Sequence, residues 1–450
     1  MLLQRDFRPG FGGEVYRRGP GPVESRGGIP WRRCYSPAPS MSTTPAPEAF
    51  EQARQRFFEG LEAFKAGRFA DAEQAYLASL ALVPGRVSTL LNLVATQLRL
   101  GRPQDALGRI EQILSVEPDN AEARFHKANA FGQLNRHPEA LANYEKVLQL
   151  GTLPPGEPWL RHGQTLQALG RPEQALDSYD RALAADPAIA QAWTNRGSIL
   201  RDMKRSEEAA AAFRRALALG ADPELHRYYL AAVSGEQATP PTAPGHYVET
   251  LFDDYAHDFD AHLVGQLGYQ AHRTLTTHLT GLGRGFRSAV DLGCGTGLCA
   301  PYLKPIAEKL VGVDLSSQML QKAQALGLYG RLVHADIVAY LAQTDEQHDL
   351  VTAADVFIYV GDLAPVFDAL DKALEPGGIF CFSAESAADE NSDFELLPSL
   401  RYAHSERYLR GLAARHDLDV VRLVHAPIRD DQREAIAGMF VYLRRPESAR

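Results

Sequence analysis

Two different periods of apolar residues divide the chain. From residue 52 to residue 222, apolar positions recur at helical spacing and are interrupted at regular intervals by Gly and Pro, which predicts a row of helical hairpins. A further amphipathic stretch over Glu224–Val233 predicts a closing helix. From Ala289 the pattern changes: short apolar runs at 289–293, 310–314, 331–335, 349–354 and 378–383 alternate with helical stretches. Alternation of that kind predicts a parallel sheet covered by helices on both faces, with ligands at the carboxyl ends of the strands. Residues 1–40 show neither period.

The first region repeats itself. Ala72, Ala106, Ala140, Ala175 and Ala209 follow one another at 34, 34, 35 and 34 residues, and Gly67, Gly101 and Gly170 each stand five residues ahead. An aromatic follows the alanine by four positions (Tyr76, Tyr144, Tyr179, Phe213), and a proline follows it by twelve (Pro84, Pro118, Pro187). The small residue lets two helices approach, the aromatic fills the gap and the proline stops the helix. With Trp159/Gly163 and Trp193/Gly197, the pattern resembles the tetratricopeptide repeat. The resemblance implies an α-helical solenoid of five hairpins with a concave groove. That groove either binds a protein or peptide partner, or the array is a scaffold that stiffens or dimerises the chain. The third unit departs from the pattern, with Asn135 for glycine and Gly151-Thr-Leu-Pro-Pro-Gly inserted, and a local kink is expected there.

In the second region, Ala289-Val-Asp-Leu-Gly-Cys-Gly-Thr-Gly297 reads as a buried strand that breaks into a glycine turn before a helix. Gly293, Gly295 and Gly297 permit positive φ and close approach of a flat ligand to the main chain. Asp314 ends the next strand run, 21 residues after Gly293, the spacing of a carboxylate that accepts from ribose hydroxyls. Asp336 follows the third run, where an acid can accept from an adenine amino group while Ile337 lies against the ring.

These residues resemble the class I S-adenosylmethionine-dependent methyltransferases, over residues 247–445. The loop is G-x-G-x-G preceded by an acid, not the G-x-G-x-x-G of dehydrogenases, and Leu374-Glu-Pro-Gly-Gly378 is a further shared feature. The resemblance implies a Rossmann-like α/β domain with a mostly parallel seven-stranded sheet, and S-adenosyl-L-methionine as cofactor. It assigns the methionine part to the glycine loop, the ribose to Asp314 with Leu315 beside it, and adenine to Asp336 and Ile337. Asp291 is grouped with cofactor binding, either by contact or by accepting N–H bonds from the loop. Phe252–Leu263, Ala354–Leu363 and Arg401–Ser405 are similar to predicted methyltransferases with an N-terminal tetratricopeptide array, in whose relatives the first stretch is a helix that closes over the cofactor, with Tyr255 at a tyrosine position. A non-enzymatic cofactor-binding adaptor acting through the repeats is the alternative.

Methyl transfer from a sulfonium asks the protein mainly to align the nucleophile and exclude water, with a general base only where the nucleophile arrives protonated. Tyr359, Glu385 and His404 are the catalytic candidates near the active-site end, with Tyr255 and His257 on the lid. The structural alternatives are a solvated helix face for His257, Asp258 and Asp260, pocket wall for Tyr359, a helix-start acid for Glu385 and a helix cap for His404. Asp355 either lines the acceptor pocket or pins a strand end. The acceptor is expected to be a small molecule beneath the lid or, as the rival, a protein side chain delivered by the repeats.

Charge and composition narrow the partners. Residues 246–450 carry 18 basic against 29 acidic residues, a poor surface for a polyanion, so nucleic acid is not expected and a cationic or neutral acceptor is admitted. Residues 1–40 are Gly/Pro/Arg-rich with seven Arg against three acids. They are expected to be disordered, with translation starting at Met41 or, alternatively, a basic nucleic-acid-binding tail. No CxxC pair, metal-ligand spacing, apolar span or secretory h-region is present, so no metal, no membrane and a cytoplasmic location are expected. The expected domains are 1–48 (tail), 49–233 (repeats and closing helix), 234–245 (Pro-rich linker) and 246–450 (the α/β domain).

Overall fold

The computed structural model describes residues 47–235, 238–256, 259–260, 268–281, 284–431 and 434–447. The tail, Met41, His257, Asp258 and residues 261–263 of the expected lid lie outside the described residues. The chain divides into two compact units between Asn195 and Arg196.

The first unit is helical: α1 Pro47–Lys65, α2 Phe69–Leu82, α3 Val87–Arg99, α4 Pro103–Val116, α5 Ala121–Gln133, α6 His137–Leu150, α7 Gly156–Ala168, α8 Pro172–Ala185 and the first half of α9 Ala190–Asp202. α1/α2, α3/α4, α5/α6 and α7/α8 pack as hairpins. Their spacing is set by contacts between a small and a large side chain. A Cβ on Gly60 would lie 2.6 Å from the Tyr76 ring, and one on Gly163 would lie 2.6 Å from Tyr179. Ala128 joins Tyr144 in the same core in the third hairpin. The turn within each hairpin needs a left-handed residue: Gly67, Gly101 and Gly170 have φ of 73°, 69° and 71°, and Asn135 takes the same conformation at 58°. Asparagine tolerates that region, so the turn survives the loss of glycine. The longer turn before α7 begins with Gly151 capping α6 at φ 63°.

The second unit opens with the rest of α9, α10 Ser206–Ala218 and α11 Pro223–Ser234. Here Gly197 packs on Phe213 as in the other hairpins, and Lys204, at φ 61°, occupies the left-handed turn position. After α11, residues 238–244 run to α12 Gly245–Tyr255. The stretch expected to be a linker is in fact paired with the α/β domain: Gly361 and Asp362 donate their N–H groups to the Pro241 carbonyl, Ala243 N–H donates to the Tyr359 carbonyl, and the Tyr402 hydroxyl donates to the Pro240 carbonyl. Prolines lack an N–H but keep their carbonyls, and those carbonyls are the acceptors used here.

Nine strands pair among the described residues: β1 Phe286–Leu292, β2 Ala307–Asp314, β3 Arg331–His334, β4 His348–Ala353, β5 Leu374–Ser386, β6 Phe394–Leu396, β7 Tyr402–His404, β8 Asp419–Asp431 and β9 Glu434–Arg444. The order β3-β2-β1-β4-β5 is parallel throughout. β9 then adds antiparallel to β5, and β8 to β9. The five parallel strands are the runs located in the sequence, β8 and β9 bring the count to the seven implied by the resemblance, and the two short strands β7 and β6, which extend the end of β5, raise it to nine. Both faces of the central strands are buried. Val290, Leu292, Phe380 and Phe382 face one core, and Ala289, Ile379 and Cys381 face the other. Strand order reverses between β1 and β4, and a crevice opens at the carboxyl ends there.

Candidate active site

The glycine turn after β1 uses its three glycines for three reasons. All have positive φ, at 63° (Gly293), 54° (Gly295) and 93° (Gly297). A Cβ on Gly293 would meet Val356 at 2.5 Å, and one on Gly297 would meet Leu326 at 2.7 Å, so both serve packing. Gly295 has nothing within 4 Å of such a Cβ, and it lines a cavity of about 250 Å³.

Asp314, at the end of β2, braces that turn. Its Oδ2 accepts from Gly295 N–H at 2.7 Å and its Oδ1 from Ser316 N–H at 2.8 Å. Burial raises its pKa against those two bonds. Each carboxylate oxygen has a second lone pair, so the group can still accept from a ligand. Asp291 does not bind the turn's N–H groups; the Tyr329 hydroxyl donates to it at 2.7 Å and Thr352 Oγ1 at 3.0 Å, and burial raises its pKa to about 6. Asp336 caps the helix Ile337–Gln343 by accepting from Ala339 N–H at 2.9 Å through Oδ1.

The expected sites come together unequally. Asp291, Gly293, Gly295, Asp314, Leu315, Asp336 and Ile337 all line the cavity, whereas Gly297 and Tyr255 are not in its wall. Tyr255 packs its ring edge-on against Phe259 at 5.3 Å, and the aromatic residues that this stretch gives to the wall are Phe252 and Phe259. Two hydrogen bonds hold the stretch over the site: Ser316 Oγ donates to Asp253 at 2.5 Å and Thr296 Oγ1 donates to Asp260 at 2.6 Å. Asp260 is therefore tied down, not a free face of a solvated helix.

Of the catalytic candidates, Tyr359 lines the cavity, with burial raising its pKa and keeping the phenol neutral. Glu385 is withdrawn from the cavity; it lies within β5, not at a helix start, and its carboxylate is paired with Nη2 of Arg429. His404 is also withdrawn, wholly buried in β7 with Nε2–H shared between the Val360 and Gly361 carbonyls at 3.0 Å each. Burial pushes its pKa down to about 4, and the cap of the next helix is Ser405, which accepts from Tyr408 N–H. Asp355 does line the cavity, at φ 60° and with its carboxylate held by Arg429 Nη1 at 3.1 and 3.2 Å.

Three further residues in the wall were not singled out by sequence. Arg401 lies within a stretch already noted for its resemblance, and the spacing there gives no direction for its side chain. Arg429 comes from β8, late and antiparallel, with no motif around it. His272 lies on the helix Ala271–Thr280, its ring stacked on Tyr269 at 5.2 Å, its Nδ1 without a partner among the described residues, and its pKa pushed down to about 4 by burial. Among the described residues no cluster of His, Cys, Asp and Glu could hold a metal ion, and no helix is long and apolar enough to cross a membrane.

Known proteins resemble the two regions separately. The methyltransferase domain family matches residues 290–382, and the tetratricopeptide repeat family matches 91–158 and 160–224. A malonyl-[acyl-carrier protein] O-methyltransferase of Salmonella typhimurium is 32% identical over 121 residues, 26% of this chain and 48% of that protein. A ubiquinone biosynthesis O-methyltransferase of Idiomarina loihiensis is 33% identical over 101 residues, 22% of this chain and 42% of that protein. The chain thus spans less than half the length of these two curated relatives. Among solved structures, the N-methyltransferase NodS from Bradyrhizobium japonicum WM9 aligns at 21% identity and a TM-score of 0.32, over 39% of this chain and 94% of NodS. The family models thus find a tetratricopeptide-repeat region followed by a methyltransferase domain.

Proposed function

We propose that the protein transfers the methyl group of S-adenosylmethionine to a small-molecule acceptor that enters the cavity from the β4/β5 side, and that the repeats recruit a protein partner. One observation carries the cofactor assignment. The open face of Gly295, the Asp314 carboxylate with unused lone pairs and the exposed Asp336 with Oδ2 outside the cap stand at the ends of β1, β2 and β3 and line one cavity. That donor and acceptor set fits the cofactor's methionine, ribose and adenine in that order. When bound, the cofactor supplies an activated methyl on sulfonium.

The protein's own part is binding, alignment and exclusion of water. Asp314 and Asp336 hold the polar groups, Leu315 and Ile337 provide apolar contact, and Phe252 and Phe259 cover the space above. A cavity with aromatic walls under a segment held by Asp253 and Asp260 suits a metabolite better than a folded protein surface. Calorimetry with S-adenosylmethionine tests the assignment: Gly295→Arg and Asp314→Ala are expected to abolish or severely weaken binding, and unchanged binding in both would overturn it. For the acceptor, tritiated cofactor and size-fractionated lysate decide: label in the low-molecular-weight fraction supports a metabolite, and label confined to macromolecules rejects it.

A further inference from the structure

Resting on the methyl transfer just proposed, we infer that His272 anchors the cofactor by its α-carboxylate, which accepts a hydrogen bond from Nε2–H of the imidazole. In the proposed site the methionine chain lies against the glycine turn, and Leu298 and Cys299, which follow that turn, share the cavity wall. Tyr269 and His272 are the wall residues packed on that side. Tyr269 shares a core with Cys299, Ala300 and Leu303. The His272 ring is stacked on Tyr269 at 5.2 Å and stands 5.9 Å from Tyr302.

His272 is the second residue of the helix Ala271–Thr280 and is 3% exposed. Among the described residues its Nδ1 is buried without a partner, and no protein group meets Nε2. Burial keeps the ring neutral at pH 7, with its pKa pushed down to about 4, so the ring carries a single N–H. A hydrogen on Nδ1 would be stranded inside the protein, and orphaned buried N–H groups are rarer than orphaned acceptors. On Nε2 the same hydrogen can meet a ligand in the cavity. His272 therefore offers the cavity a donor, not a lone pair.

The methionine chain ends in an ammonium and a carboxylate. The ammonium has no lone pair, so only the carboxylate can take that donor. Charge on this side agrees. The bonds of the helix begin with the N–H groups of Arg273 and Thr274 on the Gln270 carbonyl, and the turn before them carries the partial positive charge of a helix start. Of the charged side chains felt at the ring, Arg273 outweighs Asp260. The stacked Tyr269 ring fixes the plane of the imidazole and with it the direction of the donor.

Calorimetry of the full chain with S-adenosylmethionine and with decarboxylated S-adenosylmethionine tests this, since the second ligand keeps the adenosine, the sulfonium and the amine. The wild-type protein is expected to favour the first by about tenfold or more. His272→Leu should weaken S-adenosylmethionine by about that factor and leave the decarboxylated ligand within about twofold, so that the preference disappears. His272→Gln, whose amide N–H can stand in for Nε2–H, should keep part of it. Equal losses for both ligands make His272 a packing residue, and an unchanged preference in His272→Leu places the carboxylate elsewhere. Either result overturns the inference and leaves the methyl-transfer assignment standing; a wild-type protein that binds neither ligand overturns both. Nitrogen-15 spectra of histidine-labelled wild-type protein read the same contact without a substitution. One imidazole signal should move with S-adenosylmethionine and stay in place with the decarboxylated ligand; a spectrum that answers both ligands alike overturns the inference.

Discussion

The Tyr228 hydroxyl, on the last helix after the repeats, donates to the Leu400 carbonyl at 2.6 Å. Leu400 is buried and held at φ 64°, and the next residue, Arg401, lines the cavity. Tyr228→Phe removes the hydroxyl that donates to this buried carbonyl in a strained turn. The expected loss is about 1–3 kcal/mol of unfolding free energy, read from urea melts, with S-adenosylmethionine affinity little changed.

Asp314→Asn separates charge from shape at the proposed cofactor site. An amide keeps the size, but it supplies only one oxygen for the N–H groups of Gly295 and Ser316, both now served by the carboxylate. Its NH2 would oppose one of those donors. Calorimetry should show S-adenosylmethionine binding weakened by tenfold or more, on the order of 1.4 kcal/mol or above.

Two glycines on helices of the first unit should respond to alanine with opposite signs. Gly163→Ala puts a methyl 2.6 Å from the buried Tyr179 ring and should cost about 1–3 kcal/mol. Gly108→Ala, on α4 with open space around it, should stabilise by about 0.5–1 kcal/mol, since helical alanine loses less chain entropy. Thermal melts of the two variants check the pair.

Acid should destabilise the second unit well above the carboxylate range. His272 and His404, ordinarily near 6.5, are pushed down to about 4 by burial. Between those values the unfolded chain binds more protons than the folded one, so their contribution is complete above 6.5 and is lost as pH falls towards 4. Asp291 works in the opposite direction. Raised from 3.8 to about 6, it holds its proton in the folded state and favours folding at the acid end of that window. Burial also lowers His226, His278 and His348 and raises Asp314 and Glu385, so with five histidines against three acids stability should fall from pH 7 to pH 5. In His404→Gln the slope should be shallower even where absolute stability is lower; an unchanged slope in urea melts would remove His404 from the account.

Truncation should show where the catalytic unit starts. A chain beginning at Arg196 keeps Tyr228, the backbone pairing of Pro241 and Ala243, and the cavity residues Thr242 and Ala243. A chain beginning at His246 loses all of them. Calorimetry should find S-adenosylmethionine binding near the full-length value in the first and much weaker, or no folded protein, in the second.

The side of the cavity proposed to take the cofactor was legible because its residues mark strand ends. Gly293, Gly295, Asp314 and Asp336 each close an apolar run, and a parallel sheet brings such ends together. The repeat was legible from its alanine period, which measures one hairpin. Glu385 and His404 were misplaced because successive residues of a strand point to opposite faces, and a strand end alone does not say which face the cavity takes. Arg429 stayed hidden because its ion-pair partners, Asp355 and Glu385, come from distant segments. Residues 238–244 were misread since Pro-rich composition signals a lack of N–H donors, not a lack of partners for carbonyls.

The pairing of Pro240, Pro241 and Ala243 with Tyr402, Gly361, Asp362 and Tyr359 of the α/β domain means that these residues have no slack. A loose tether couples a bound partner to a catalytic centre by raising its effective concentration, and lengthening the tether weakens that coupling only gradually. A stretch stitched into the wall works differently. A partner gripping α10 and α11 would act on the acceptor side as a mechanical load, carried through Tyr228 and Leu400 to Arg401.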